Sequence, residues 1–302
     1  MNKDKRIFFN KITMIVFIIY ILILLLSQTA VYKLYYEIEL GLKLLKYICY
    51  SFFSIRILYD WKNGKNITVM IIITGIMSVI ISFFTKNNYL FTLLLAILAV
   101  RTLNKKDLIK IVFKVVTIAY FSIIVLSLFK VFPDWIFYRG DKIRHSLGFC
   151  YATDAISFFL NIILMYFYIR DNYSLLELFG LEAIAFALFL NTDGRMSFIL
   201  ISIVLLIMAI KKNKRLINFI NHNFTQKTIS NICISLPTIF FLVFNFLTFE
   251  YTNQNELTFK IDKFLSGRLY YSSQAYIEYG VTAFGENIKW QRMGRIWICK
   301  SG

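Results

Sequence analysis

Charged side chains are scarce in this chain. Asp, Glu, Lys and Arg make up 17% of 302 residues, against 58% hydrophobic residues and a mean hydropathy of +0.64. That balance excludes a soluble domain of this length and points to a polytopic membrane protein. Acidic residues are the scarcer kind, 17 against 34 Lys and Arg, for a formal net charge of +17. In a soluble protein such an excess would suggest nucleic acid. In an apolar chain it is the cytoplasmic Lys and Arg that orient the helices, so nucleic acid is not an expected partner. Proline occurs only twice and cysteine four times. Cys49, Cys150, Cys233 and Cys299 lie too far apart for a CxxC pair. Zinc-type spacing and a glycine-rich phosphate loop are also missing, so no metal or cofactor is expected. Cys49 and Cys233 fall in apolar runs as core residues, whereas Cys150 falls in a loop where its thiol is open to reaction. No small-residue cleavage site follows the basic start Met1–Lys11, so the first apolar run reads as a membrane helix and not as a cleaved signal.

Apolar runs are what the chain has in quantity. About nine approach the ~20-residue length of a membrane span: Ile12–Val31, Ile38–Tyr59, Ile67–Phe84, Tyr89–Leu103, Leu108–Phe132, Ala155–Ile169, Leu175–Leu190, Met196–Ile210 and Ile229–Phe249. The expected fold is therefore all-α, a polytopic transmembrane helix bundle with external loops carrying short amphipathic helices. The second run, with Lys43, Lys46 and Arg56, is the least apolar. With the N-terminus inside, the inside segments hold about 16 Lys and Arg and the outside segments about 6, the bias expected of that orientation. Residues 1–249 form the bundle, including an external loop 133–154; residues 250–302 form an extracytoplasmic segment. In the latter, Leu265, Leu269, Ser272, Tyr276 and Tyr279 repeat at helical spacing, with Asp262 to cap the start and Gly280 to end it.

This orientation puts three arginine segments outside, where basic residues are not expected: Ile143–Phe149 with Arg144 and His145, Thr192–Arg195, and Leu265–Leu269 with Arg268. Arginine forks bind phosphate bidentately, so a lipid-borne phosphate would account for them. The first loop also carries Arg139, Asp141, Lys142 and Tyr151, and His145 is suited to proton transfer near neutral pH. Each has a plainer alternative: a basic loop on anionic headgroups, a local Asp193–Arg195 pair, and an interfacial Arg268. Glu182, near mid-depth of the seventh run, is expected to pair with Lys43, Lys46 or Lys114, or else to serve a proton or cation site in a transporter. His222, on the inside, reads as solvated.

The three segments in this order resemble the bacterial polysaccharide polymerases of the Wzy type, within the family of O-antigen ligases and polymerases. The resemblance rests on Arg144-His145-Ser146-Leu147-Gly148-Phe149, Thr192 to Arg195, and Ser266-Gly267-Arg268-Leu269 with Tyr279-Gly280 and Phe284-Gly285, and it covers Ile12 to Trp290. It implies a glycosyltransferase of the bacterial cytoplasmic membrane that polymerises polyprenyl-diphosphate-linked oligosaccharide repeats. A flippase and a chain-length regulator would be its partners besides membrane lipid. It implies catalytic roles for Arg195, Arg268 and His145, and substrate binding by Arg144, with Arg139 and Tyr151 in the same loop. A ligase of the same family and a transporter or flippase of lipid-linked sugar are the alternatives. Two departures stand out. Cys150-Tyr151-Ala152 replaces the His-Pro-Asn common in relatives. The residues after Trp290 fit neither a loop nor a span, and this points to truncation or a frameshift.

Overall fold

The computed structural model describes residues 3–62, 69–139, 142–170, 172–212, 226–253, 255–265 and 267–280. Asp141, His222, Ser266, Phe284-Gly285, Cys299 and the segment after Trp290 lie outside them, as do the side chain of Cys233 and the expectations attached to each. The described chain is mostly helical. In order it forms α1 (Lys3–Leu26), α2 (Ala30–Leu34), α3 (Tyr36–Lys62), α4 (Val69–Thr85), α5 (Tyr89–Val100) and α6 (Lys105–Leu128). An antiparallel hairpin follows, β1 (Ile136–Arg139) and β2 (Lys142–His145). Then come α7 (Asp154–Ile169), α8 (Leu175–Thr192), α9 (Arg195–Lys212), α10 (Gln226–Thr252), α11 (Glu256–Phe264) and α12 (Arg268–Tyr279).

Eight of the nine apolar runs coincide with a helix to within four residues at each end; the first, Ile12–Val31, is displaced, since α1 starts nine residues earlier at Lys3 and ends at Leu26. Among the described residues, four helices are long and apolar enough to cross a membrane: Ile7–Leu26 within α1, α6, α8, and Ile234–Thr252 within α10. The others fall short for two physical reasons. Helices α4, α5 and α7 are short: a helix of α5's 12 residues rises only ~18 Å against a hydrocarbon core of ~30 Å. The other two, α3 and α9, carry too much charge, with Glu37, Glu39, Lys43, Lys46, Arg56 and Asp60 on α3, and Arg195, Lys211 and Lys212 at the ends of α9.

The chain divides into two compact units. One takes in Met1–Ile76 and Tyr89–Ala209, the other Met77–Asn88 and Ile210–Arg292. In the first, α1 packs on α3, α5 and α6, α6 on α7, and α7 on α8. Its larger core gathers Tyr120, Phe149, Ile156, Phe159, Ile163 and Ile201, all essentially free of solvent. The Tyr120 hydroxyl, which could not be buried unpaired, donates to the Ala155 carbonyl at 2.9 Å. A second core sets Tyr20 edge-on against Phe53, ring centroids 5.5 Å apart.

The two ends of this unit differ in chemistry. At one end the buried Arg56 donates to Asn10 at 2.7 Å and Thr102 at 2.8 Å and pairs with Asp60 at 3.3 Å, joining the start of α1, the end of α3 and the turn before α6. At the other end the segment after the hairpin is pinned to the end of α1: Ala30 N–H donates to the Gly148 carbonyl at 3.0 Å and Cys150 N–H to the Gln28 carbonyl at 2.8 Å. Leu147 and Gly148 are both left-handed, at φ 52° and 86°. A Cβ on Gly148 would lie 3.1 Å from both Ile123 and Ser127, so glycine serves the turn and the close approach to α6 alike.

In the second unit, α10 packs against α11 and α12. Gly280 ends α12 at φ 69°, as expected from sequence, but the N-cap of that helix is Gly267; Asp262 lies inside α11, from where its Oδ1 accepts from the Leu269 and Tyr270 amides at 2.8 and 3.3 Å. The expected stripe is divided. Leu265 ends α11, and the buried face of α12 is Leu269 with Ser273, not Ser272.

Candidate functional site: a basic cluster around Asp193

Local chemistry at the α8–α9 junction explains each residue of the Thr192–Arg195 segment. Thr192 is fully buried and its hydroxyl donates to the Leu188 carbonyl at 2.8 Å. Asp193 is left-handed, φ 48°, a conformation that Asp tolerates better than most residues, and it ends α8. A Cβ on Gly194 would lie 2.5 Å from Ile156 Cγ2, so only glycine lets the chain pass α7 there. Arg195 then opens α9.

The hairpin brings the other cations to this junction. Register pairs Arg139 with Lys142 and Phe137 with Arg144. Side chains alternate across a strand, so Phe137, Arg139, Lys142 and Arg144 share one face. Arg144 is 9% exposed and its Nε donates to the Thr192 carbonyl at 2.8 Å. Arg139 lies 3.5 Å and Lys142 3.9 Å from the Asp193 carboxylate, and Arg195 Nε lies 3.3 Å from its Oδ1. Burial lowers the basicity of Arg144, as do Arg139 and Arg195, with Asp193 opposing them. Four cations thus surround one carboxylate that is 6% exposed. Its Oδ2 is buried and accepts no hydrogen bond among the described residues, because Arg139 approaches it without hydrogen-bond geometry.

His145 occupies the opposite face of β2. Its Nδ1 lies 2.6 Å from Asp134 Oδ2, while Asp134 Oδ1 accepts from the Leu147 amide at 2.8 Å and the Ser146 hydroxyl at 3.3 Å. A carboxylate on Nδ1 fixes the proton there and leaves Nε2 as the nitrogen able to take another. Sequence reasoning missed Asp134; its only signal was the strand-forming Ile136-Phe137-Tyr138 between it and His145.

The sequence-derived site residues therefore divide. Arg139, Arg144 and Arg195 come together. His145 is next to Arg144 in sequence but faces away from it. Tyr151 is half exposed; the Lys33 ammonium sits 4.7 Å from its ring centroid and 5.9 Å from that of Trp135. Arg268 is the exposed first residue of α12, in the other unit. Two further expectations are corrected. Glu182 accepts from the Ser202 hydroxyl at 2.7 Å and does not pair with Lys43, Lys46 or Lys114: α9 supplies a neutral partner. Cys150 is buried, with its thiol 3.2 Å from the Thr29 carbonyl and pushed by burial up to about 11, and so is not an open loop thiol. Among the described residues, no three His, Cys, Asp or Glu side chains are placed to hold a metal ion. Comparisons with family models, with curated proteins and with solved structures find no match to this chain.

Proposed function

We propose that the chain is a glycosyltransferase of the bacterial cytoplasmic membrane that polymerises polyprenyl-diphosphate-linked oligosaccharide repeats on the outer face. In this reading the nine helices all belong to the membrane bundle and the hairpin end of the first unit faces outward. The observation that carries it is the gathering of Arg139, Lys142, Arg144 and Arg195 around a single carboxylate. Among the described residues Asp193 is one carboxylate against four cations, so positive charge is in surplus there, and charge-assisted forks suit the oxygens of a diphosphate. Positive-inside orientation supports the outward face of the same cluster.

The reaction breaks the bond between the anomeric carbon of the growing chain and its diphosphate oxygen, and forms one to a hydroxyl of a second lipid-linked repeat. The departing diphosphate takes the electron pair. The arginines hold it and neutralise charge as it leaves, which is the main way a protein can lower this barrier without a metal. The resemblance gives His145 the proton of the acceptor hydroxyl; Asp134 on Nδ1 leaves Nε2 free for it, but the ring lies on the face of β2 opposite Arg144, so that role rests on the resemblance and not on the cluster. Arg268, in the other unit, has a diphosphate role only as what the resemblance implies.

The test is the size profile of lipid-linked and surface saccharide in a strain lacking the gene, complemented with this chain or with its Arg139→Ala/Arg195→Ala variant. Single repeats without the gene, a ladder with the chain and single repeats with the variant are expected. Normal polymer in the deletion strain overturns the reading. Long lipid-linked polymer that is never moved to its final acceptor identifies a ligase instead.

A further inference from the structure

A cavity of about 470 Å³ opens in the first unit where the start of α6 meets the end of α7, lined by Asp107, Lys110, Ile111, Phe113, Lys114 and Ile169. Its walls are of two kinds. Ile111, Phe113 and Ile169 are apolar. Lys110 and Lys114 are exposed and one helical turn apart, an arrangement in which like charges repel. Asp107 lines the cavity and keeps its negative charge, its partner being a neutral amide, whereas Glu177 is neutralised by Arg170. Asp107 accepts from Asn104 Nδ2 at 2.8 Å, and Glu177 accepts from the Tyr166 hydroxyl and pairs with Arg170 at 3.3 Å. Neither lysine forms an ion pair among the described residues. Lys114 stands ~13 Å along the axis from the first residue of α6, well into an apolar helix, so its ammonium must reach back toward the helix start as lysines do at a membrane interface.

Two ammonium groups against the one carboxylate of Asp107 leave the lining net positive, which favours an anion. The apolar wall beside them selects one with a hydrocarbon part, which inorganic phosphate lacks. We propose that this cavity binds an anionic phospholipid, its phosphate between Lys110 and Lys114 and its acyl chain along Ile111, Phe113 and Ile169. Basic pockets between membrane helices hold headgroups in this manner. The site lies at the Arg56 end of the unit, away from the basic cluster around Asp193, and it does not depend on the polymerase reading.

The full chain, placed in lipid nanodiscs of phosphatidylcholine with or without phosphatidylglycerol, tests this. Melting temperature and lipid retained on gentle extraction, weighed by native mass spectrometry, are the readouts. Phosphatidylglycerol is expected to stay bound and raise the melting temperature. Lys110→Gln/Lys114→Gln should weaken that binding by on the order of 10- to 30-fold. Lys110→Arg/Lys114→Arg should keep it, and Lys211→Gln/Lys212→Gln, which removes the same charge elsewhere, should leave it unchanged. Equal loss in the two glutamine variants would reduce the effect to net charge and overturn the proposal. So would a melting temperature indifferent to phosphatidylglycerol, or one raised as much by inorganic phosphate.

Discussion

Arg144 Nε donates to the main-chain oxygen of Thr192 at 2.8 Å, across 48 residues of sequence. This bond ties the hairpin to the α8–α9 junction, and it uses only one of the guanidinium's nitrogens. The rest of the fork stays available to a ligand. Arg144→Lys keeps the charge but removes the fork. It is expected to lower stability by about 1–3 kcal/mol, since the buried Thr192 carbonyl then loses its donor, and to abolish polymer formation. Thermal melting of purified protein and the saccharide ladder read the two effects separately. A variant that melts as the wild type would show that the bond contributes nothing to the junction.

Asp193 holds three cations within 4 Å of its carboxylate. On the proposed function a ligand diphosphate would seek the same cations, and Asp193 would compete with it. Asp193→Asn keeps the shape and the tolerance of a left-handed backbone and removes only the charge. It should melt lower than the wild type, because four cations then repel without a counter-ion. Yet it should bind methylenediphosphonate more tightly, by on the order of 10-fold, if competition is worth the ~1–2 kcal/mol typical of a partly buried charge pair. Titration calorimetry decides it. Weaker binding than wild type would make Asp193 a positioning residue for the arginines and not a competitor.

The helices and their ends were legible in the sequence because they depend on local signals. Apolar length gave the runs, and Gly280 gave the end of α12. Meeting of distant residues was legible only in part. Arg139, Arg144 and Arg195 could be grouped by their shared side of the membrane, but nothing local shows that Arg139 reaches Asp193, 54 residues on. The alternation of a strand, which sends His145 away from Arg144, was hidden because the hairpin strands are only four residues each. Asp134 escaped for the same reason: without the hairpin it is simply 11 residues from His145. Glu182 was misassigned because a buried carboxylate suggests a cation, and a serine one helix away is invisible to charge counting.

Cys150 offers a test at the hairpin end. Burial pushes its thiol up to about 11, Lys33 lowering it less than burial raises it. The thiolate is the reactive form, so alkylation of native protein at pH 8 should be far slower than that of an exposed cysteine, and should rise steeply only as pH nears 11. The linkage has a definite sign. The native thiol holds its proton longer than the unfolded one, whose value is near 9, so stability from this group is fully present below about pH 9 and is lost as pH rises toward 11. Cys150→Ser should remove that part of the alkaline slope. Rapid alkylation at pH 8, traced to Cys150 by peptide mass, would show a segment open to solvent and would loosen the whole anchorage to α1.

The contact between Gly194 and Ile156 decides how closely α9 passes α7, and with it where Arg195 stands. An added methyl would lie 2.5 Å from Ile156 Cγ2, a distance no packed pair tolerates, and Ile156 is itself fully buried. Gly194→Ala should therefore cost about 1–3 kcal/mol through overpacking. Ile156→Ala alone should cost about 2–5 kcal/mol through the cavity it leaves. Removing Cγ2 also opens the space that the new methyl needs, so the double variant should lose less than the two single losses combined. That non-additivity is the signature of direct contact. Binding of methylenediphosphonate should follow stability in this series only through the placement of Arg195: the glycine variant should bind weakly and the double variant should recover. Additive losses with unchanged binding would mean that α9 shifts freely and that the junction does not set the position of the arginine.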